Sequence, residues 1–476
     1  MSATLILPTD TSLTEVQRVF ALQQKNQFKV ANTTASQRIA KLKKIHKVVL
    51  KYRPQIKEAL FNDFRKHPSE VDLTEIYPVT AEIKHTKSHL RSWMRKHRAG
   101  TPIAMLGSSS YIHYEPKGVV LIIAPWNFPF NLLFGPLISA VAAGNTVILK
   151  PSEHTPYISA LMKKMIEEIF EENEVVLLEG GIETSQALLQ QPFNHIFFTG
   201  APSIGKIVMA AAAKHLTSVT LELGGKSPTI VDETASIDTA AKRIAWGKFL
   251  NNGQVCIAPD YVFVHENKKE AFIEAVKKYV KIFYTEDAEQ ESSYSRVVNP
   301  RHYQRIKNAI DDAVTKGAKV ETGANFNDAQ NYIAPTVMTN VSQNATLMTD
   351  EIFGPVMPVF GFTKIEEVID EINSREKPLA LYIFSKNREN IHKITANTRA
   401  GGTCINHNAV HFFNANLPFG GANNSGIGKG HGWFGFEAFS NARGILKQHI
   451  PNAMELLMPP YNDFKQKIID LTIKYF

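Results

Sequence analysis

The chain has 476 residues, 44% of them hydrophobic and 21% charged, with a net charge of +8 and two cysteines. Such length at an ordinary globular composition predicts roughly two to four domains with sizeable cores. Two cysteines exclude a disulfide framework and point to a reducing, cytoplasmic setting. No run of roughly eighteen apolar residues could span a membrane, and Met1–Asp10 lacks the basic and apolar regions of a secretory signal.

Residues 12–98 repeat apolar side chains three to four apart with few glycines, which predicts helices. Arg38–Arg53 places Ile39, Leu42, Ile45 and Val49 on one stripe with lysines between, an amphipathic helix with a basic outer face. Lys84–Arg98 is also basic. Such charge could attract anionic lipid or nucleic acid. No arginine-rich aromatic stripe accompanies it, so a solvated face without a nucleic-acid partner is expected.

From Gly118 the texture changes. Val119–Ala124 is short, apolar and β-branched, as a buried parallel strand requires. Helix 131–143, strand 146–149, helix 157–170, strand 175–179, helix 183–190, strand 195–199, helix 204–213 and strand 219–221 follow. After Gly225 the alternation resumes: strand 229–231, helix 234–250, strand 261–264, helix 268–282, strands 333–337 and 356–360, helix 364–373, strand 379–384, helix 388–398 and strand 402–406. The expected fold is α/β, with two doubly wound parallel sheets. Phe419–Gly432 reads as a loop. In such folds ligands bind beyond the carboxyl ends of the strands.

Cys256 lies between a predicted helix and strand in the run N-G-Q-V-C-I-A-P-D, 34 residues after Glu222 in E-L-G-G-K-S-P. A thiol among small residues with a carboxylate from another segment suits a nucleophile and its base. Trp126 and Asn127, in A-P-W-N-F-P, follow a strand end, where the Asn127 amide offers a fixed N–H donor for an oxyanion. Lys150 and Glu153, in K-P-S-E, also follow a strand and suit the hydroxyls of a ribose. Thr199, Gly200 and Gly205, in F-T-G-A-P-S-I-G, run from strand into helix, where backbone N–H groups can approach a pyrophosphate. No G-x-G-x-x-G follows any strand. Gly426–Gly430 is glycine-rich but follows no strand and reads as a turn. The pairs His85/His89 and His407/His411 have helical spacing without the H-E-x-x-H glutamate, so structural roles and no metal are expected.

These motifs, in this order, resemble the aldehyde dehydrogenase superfamily from about residue 15 to about residue 445, with E-I-F-G-P at 351–355 and L-P-F-G-G at 417–421 adding to the match. I-A-P-D after the cysteine and the short N-terminal region look like the class 3 branch. That resemblance implies NAD(P)-dependent oxidation of medium- or long-chain aliphatic or aromatic aldehydes, often by a homodimer. It assigns Cys256 as nucleophile and Glu222 as base. Asn127 with the Cys256 N–H becomes the oxyanion site, and Lys150 with Glu153 the ribose contact. Gly200 and Gly205 frame the pyrophosphate loop, and Glu351 and Phe353 position the nicotinamide ribose and ring. Ala201 stands where a serine is common, which removes one hydroxyl contact to the pyrophosphate.

Glu153 should repel a 2′-phosphate, so NAD is expected to be preferred, with NADP admitted because Lys150 is adjacent. The resemblance implies a cofactor domain at 1–100 and 119–222, a catalytic domain at 223–424 and a bridging, oligomerising element at 101–118 and 425–450. Residues 451–476 form a helical tail, which could dock on the body or a partner subunit, graze a membrane or lid the substrate tunnel. Two other activities fit a reactive cysteine. A coenzyme A-acylating enzyme would not want the water-activating Glu222, and a cofactor-free cysteine hydrolase would need a histidine that these motifs lack.

Overall fold

The structure, a computed structural model, describes residues 9–450 and 453–475. Four helices open the chain: α1 (Leu13–Ala31), α2 (Ala35–Phe64), α3 (Pro68–Val71) and α4 (Tyr77–Trp93), with a π-helical turn at Asp72–Ile76. Side-chain caps start the first two. Ser12 accepts the Glu15 N–H, and Thr34 and Gln37 form a reciprocal capping box. Strands β1 (His97–Ala99) and β2 (Ser108–Pro116) precede the first sheet. That sheet takes β3 (Val119–Ile123), α5 (Asn131–Ala143), β4 (Thr146–Lys150), α6 (Pro156–Ile169), β5 (Val175–Leu177), α7 (Ile182–Leu189), β6 (His195–Thr199), α8 (Pro202–Ala213) and β7 (Ser218–Glu222).

The second sheet is built from β8 (Pro228–Val231), α9 (Ile237–Phe249), β9 (Tyr261–His265), α10 (Lys269–Tyr284), α11 (Pro300–Thr315), β10 (Lys319–Thr322) and the hairpin β11 (Phe326–Asn327) and β12 (Tyr332–Ile333). It continues with β13 (Thr336–Thr339), α12 (Thr346–Thr349), β14 (Val356–Phe362), α13 (Ile365–Asn373), β15 (Ala380–Phe384), α14 (Arg388–Asn397) and β16 (Gly402–Ile405). The chain closes with β17 (Gly426–Ile427), α15 (Gly432–Ala438), β18 (Ser440–Gln448) and α16 (Asp463–Tyr475).

The strand orders are β17-β7-β6-β3-β4-β5 and β10-β13-β14-β9-β8-β15-β16. Both sheets are parallel except at the edges β17 and β10. Alternation along each strand feeds two cores. Val120 and Ile122 face the core under α2, α4, α5 and α6, whereas Val119 and Leu121 face the core that holds Val16, Val19 and Phe20 of α1. Ile230 and Val231 split the second sheet in the same way. A third, antiparallel sheet joins β1, β2 and β18, in continuous register from Ser440↔Pro116 to Gln448↔Ser108.

Several expectations need correction. The expected strand 333–337 is two strands, because Pro335 has no N–H for a ladder and the chain turns there from the β12 hairpin into β13. The stretch 419–432 is not all loop: Gly426 and Ile427 pair with Glu222 and Leu221. No apolar pattern announces that pairing, which is a backbone contact at Gly426, at φ 152. Arg38 does not join the basic outer face. It is buried and donates to the carbonyls of Ala31, Ala142 and Ala143, where α1 and α5 end. Of residues 425–450, β18 pairs with β2, while α15 packs on α4 and α5. Helix α16 buries no side chain, and no described helix is long and apolar enough to cross a membrane. Pro451, Asn452 and Phe476 of the tail lie outside the described residues.

Candidate active site

Cys256 follows three consecutive residues in left-handed conformation, Asn251, Asn252 and Gly253 at φ 50, 56 and 72. Gly253 is required there, since a Cβ would stand 2.2 Å from the Gly354 carbonyl oxygen. Hydrogen bonds hold this strained loop rigid. Gln254 donates to the Asn251 and Arg296 carbonyls, and its Oε1 accepts the Val298 N–H. Asn252 donates to the Ser295 carbonyl. The loop places the half-buried Cys256 in a mostly apolar cavity of about 310 Å³ lined also by Phe128, Trp246, Phe412, Phe419 and Glu222.

Glu222 ends β7, where the Gly200 N–H donates to its carbonyl and β17 pairs with its backbone. The side chain is buried, and neither carboxyl oxygen has a hydrogen-bond partner. Burial pushes its pKa well above the usual carboxylate range, opposed by the Lys429 charge. Lys429 is held by the carbonyls of Gly420 and Gly421. Around Cys256, burial and then the charges of Glu351 and Glu222 push the thiol pKa up. The backbone N–H groups of Cys256 and Ile257 act on the sulfur in the opposite sense. Burial thus favours the neutral form of both the Cys256 thiol and the Glu222 carboxyl.

Asn127 is buried behind the cavity wall. Its Nδ2 donates to the Gln254 carbonyl at 3.0 Å, which leaves one N–H to offer. Its own carbonyl accepts from Asn251 Nδ2 at 2.9 Å and Lys66 Nζ at 3.2 Å.

The remaining expected site residues lie at the strand ends of the first sheet and on the segment 351–353. Lys150 is buried and donates to the Pro151 carbonyl, with Glu153 3.5 Å away and partly exposed. Trp126 meets Phe353 edge-on at 5.3 Å and tilts against His302 at 5.0 Å. Burial, then the Asp260 charge, push Glu351 up to about 8, opposed by the Gly225 N–H. Thr199 lines the same cavity as Cys256. Gly205 serves packing: its N–H donates to the Ala201 carbonyl, and a Cβ would stand 2.7 Å from Leu223. The histidine pairs lie among aromatic rings. His85, His89 and Trp93 stack along α4, and His411 packs near Tyr382 and Phe419.

Several site residues escaped the motif reading. Lys226 pairs with Asp260 and donates to the Leu347 and Asp350 carbonyls, and Asp260 accepts the Ile352 N–H at 2.9 Å. Together they fix the segment that carries Glu351. Both stand inside the quoted runs, so motif context could have found them. Lys66, Glu75 and Lys429 sit in ordinary charged or glycine-rich stretches and give no sequence signal.

Comparison with known proteins agrees with this geometry. The model of the aldehyde dehydrogenase family matches residues 4–445. A putative aldehyde dehydrogenase, AldX of Bacillus subtilis, is 44% identical over 91% of this chain and 98% of its own length. The rat dimeric NADP-preferring aldehyde dehydrogenase is 43% identical over 87% of this chain and 90% of its own. The substrate-bound structure of Staphylococcus aureus AldH superposes with a TM-score of 0.92 at 38% identity, covering 96% of this chain and 99% of that one. A catalytic-type cysteine and carboxylate between two Rossmann-like sheets, matched along almost the whole length, place this chain in the aldehyde dehydrogenase family as an NAD(P)-dependent oxidoreductase of the class 3 type.

Proposed function

We propose that Cys256 attacks the aldehyde carbon of a medium- or long-chain aliphatic or aromatic aldehyde, and that Glu222 handles the protons. The observation that carries this reading is the shared apolar cavity of Cys256 and a buried, unpartnered Glu222. The Cys256 thiolate, its proton released to solvent, adds to the aldehyde carbon, and the new alkoxide is held by the free N–H of Asn127 and the Cys256 backbone N–H. A bound nicotinamide supplies the hydride acceptor that raises the sulfur-bound carbon to the acyl level. Glu222 then draws a proton from water, which attacks the thioester and releases the acid.

The residues present suit that cofactor. Lys150 and Glu153 pair a donor with an acceptor for ribose hydroxyls, and Trp126, Phe353 and Glu351 form the nicotinamide side. Gly200 gives the turn into α8 close approach, whereas Gly205 contributes through packing. Ile182, Ile204 and Ile207 stand exposed at the starts of α7 and α8, an apolar face for a purine. Glu153 favours NAD, with NADP also accepted.

The assembly proposed is a homodimer bridged by the β1-β2-β18 sheet, with the apolar residues of 454–475 facing a partner. The cofactor domain is 1–100 with 119–222, the catalytic domain 223–424, and the bridging element 101–118 with 425–450. The two free thiols, Cys256 and Cys404, suit a cytoplasmic setting.

The test follows reduced-nicotinamide absorbance with aldehydes from butanal to decanal and with benzaldehyde. The expected result is a kcat/KM that rises about threefold per methylene as apolar surface is buried. Absence of cofactor reduction, or a preference for short polar aldehydes, overturns the reading.

A further inference from the structure

Among the described residues, Lys66 and Glu75 form the one ion pair with no exposure on either side chain. Lys66 follows the end of α2, and Glu75 lies in the π-helical turn, a feature frequent at functional sites. Lys66 Nζ stands 2.9 Å from Glu75 Oε1, 3.2 Å from the Asn127 carbonyl oxygen and 4.1 Å over the Phe128 ring. The other oxygen of Glu75 accepts the Asn131 N–H at 2.8 Å. The pair thus grips both ends of the turn 127–131. The Asn251 side chain donates to the same Asn127 carbonyl.

Stability alone does not account for such a pair. Removing two charges from water costs about what their attraction returns, and apolar residues of similar volume usually serve as well. The surroundings here, Phe64 and Phe128, would accept them. What apolar side chains cannot do is hold the Asn127 carbonyl and the Asn131 N–H in place. Asn127 is anchored from the opposite side by the nucleophile loop, through Asn251 and Gln254. The turn is therefore clamped between a buried charge pair and the loop that carries Cys256.

We infer that Lys66 and Glu75 are positioning residues for the oxyanion donor: they lock the turn 127–131 so that the free N–H of Asn127 stays aimed at the oxygen of a carbonyl attached to Cys256. The inference rests on the oxyanion role proposed for Asn127. A donor displaced by a fraction of an ångström stabilises the alkoxide less, so the chemical steps slow while cofactor affinity is unchanged.

A double-mutant cycle on the full-length enzyme with NAD and decanal tests this, read as the pre-steady-state rate of cofactor reduction. The apolar replacement Lys66→Met with Glu75→Leu should fold, as thermal melting reports, and react about tenfold more slowly with an unchanged KM for NAD. Asn127→Ala should be slower by on the order of a hundredfold. Adding the apolar pair to Asn127→Ala should cost nothing further, because the brace acts through that amide. If the apolar pair does not fold, Lys66→Met with Glu75→Gln takes its place. That variant keeps an acceptor for the Asn131 N–H and removes only the ammonium contact. A folded brace variant with the wild-type rate, or a loss that adds fully to that of Asn127→Ala, overturns the inference. A wild-type rate in Asn127→Ala instead overturns the role of Asn127, and with it the brace.

Discussion

Glu222 and Glu351 both act electrostatically on Cys256, and burial raises the pKa of each, yet the protein holds them differently. Glu222 ends a strand with both carboxyl oxygens unpartnered. Glu351 stands on a segment fixed by Lys226 and Asp260, and the Gly225 N–H with the Lys226 and Lys248 charges favours its ionised form. A buried carboxylate without partners is ready to take a proton, since the neutral form is the cheaper one to bury. One whose charge is favoured by a backbone N–H and two ammonium groups is suited to fix a ligand. The protein thus makes a base and a binding group from one residue type by placing few or several charge-favouring groups around it.

The severest way to break the comparison is to remove the atom both carboxylates act on. Cys256→Ala should lower steady-state aldehyde oxidation by at least about a thousandfold while the protein still binds cofactor, as fluorescence titration can check. Retained turnover would end the covalent mechanism.

The two carboxylates themselves are separated by rapid mixing. Glu222→Gln should give a full first burst of reduced cofactor and then turn over about a hundredfold more slowly, because the thioester persists. Glu351→Gln should instead slow the burst and raise the KM for cofactor about tenfold. Identical behaviour of the two variants would erase the distinction drawn here.

A pH profile sharpens it further. Only the ionised form of Glu222 can accept a proton, and its pKa is raised, so wild-type turnover should fall as pH drops through that raised value. The half-maximal point should lie well above 4.5, and the acid limb should vanish in Glu222→Gln. Stability carries the opposite sign. A carboxyl whose folded pKa is raised binds its proton more tightly in the native state. Its folded-state penalty therefore begins above the unfolded pKa and grows with pH up to the folded one. For Glu351 that window runs from 4.5 to about 8. Glu351→Gln should therefore stabilise the protein at neutral pH by about 3 kcal/mol in a denaturant melt. The smallest effect expected is at the cofactor end, where Glu153→Gln, at a partly exposed position, should shift the NADP-to-NAD ratio of kcat/KM about fivefold toward NADP.

Legibility from sequence divided along the range of the interactions. Strands such as Val119–Ile123 and His195–Thr199 are apolar runs bounded by turns, so their buried parallel setting could be read locally. Cys256, Glu222, Asn127, Lys150 and Glu351 stood in recognisable runs. The strands β17 and β18 were not readable, because their pairing is with β7 and β2, more than 200 residues upstream. Arg38 looked like one more surface cation, and its burial depends on where two helices end. The close approach of Gly205 to Leu223 likewise depends on where α8 lies against the sheet.

The order and kind of the reactive side chains, the α/β alternation and the family were set out in the linear chain, because each is encoded by residue type and near-neighbour spacing. Which carboxylate would be left without a partner, which asparagine N–H would remain free, and which lysine would be buried behind it were decided only on folding. Those properties depend on desolvation and on contacts between distant segments, and neither exists until the sheets have packed.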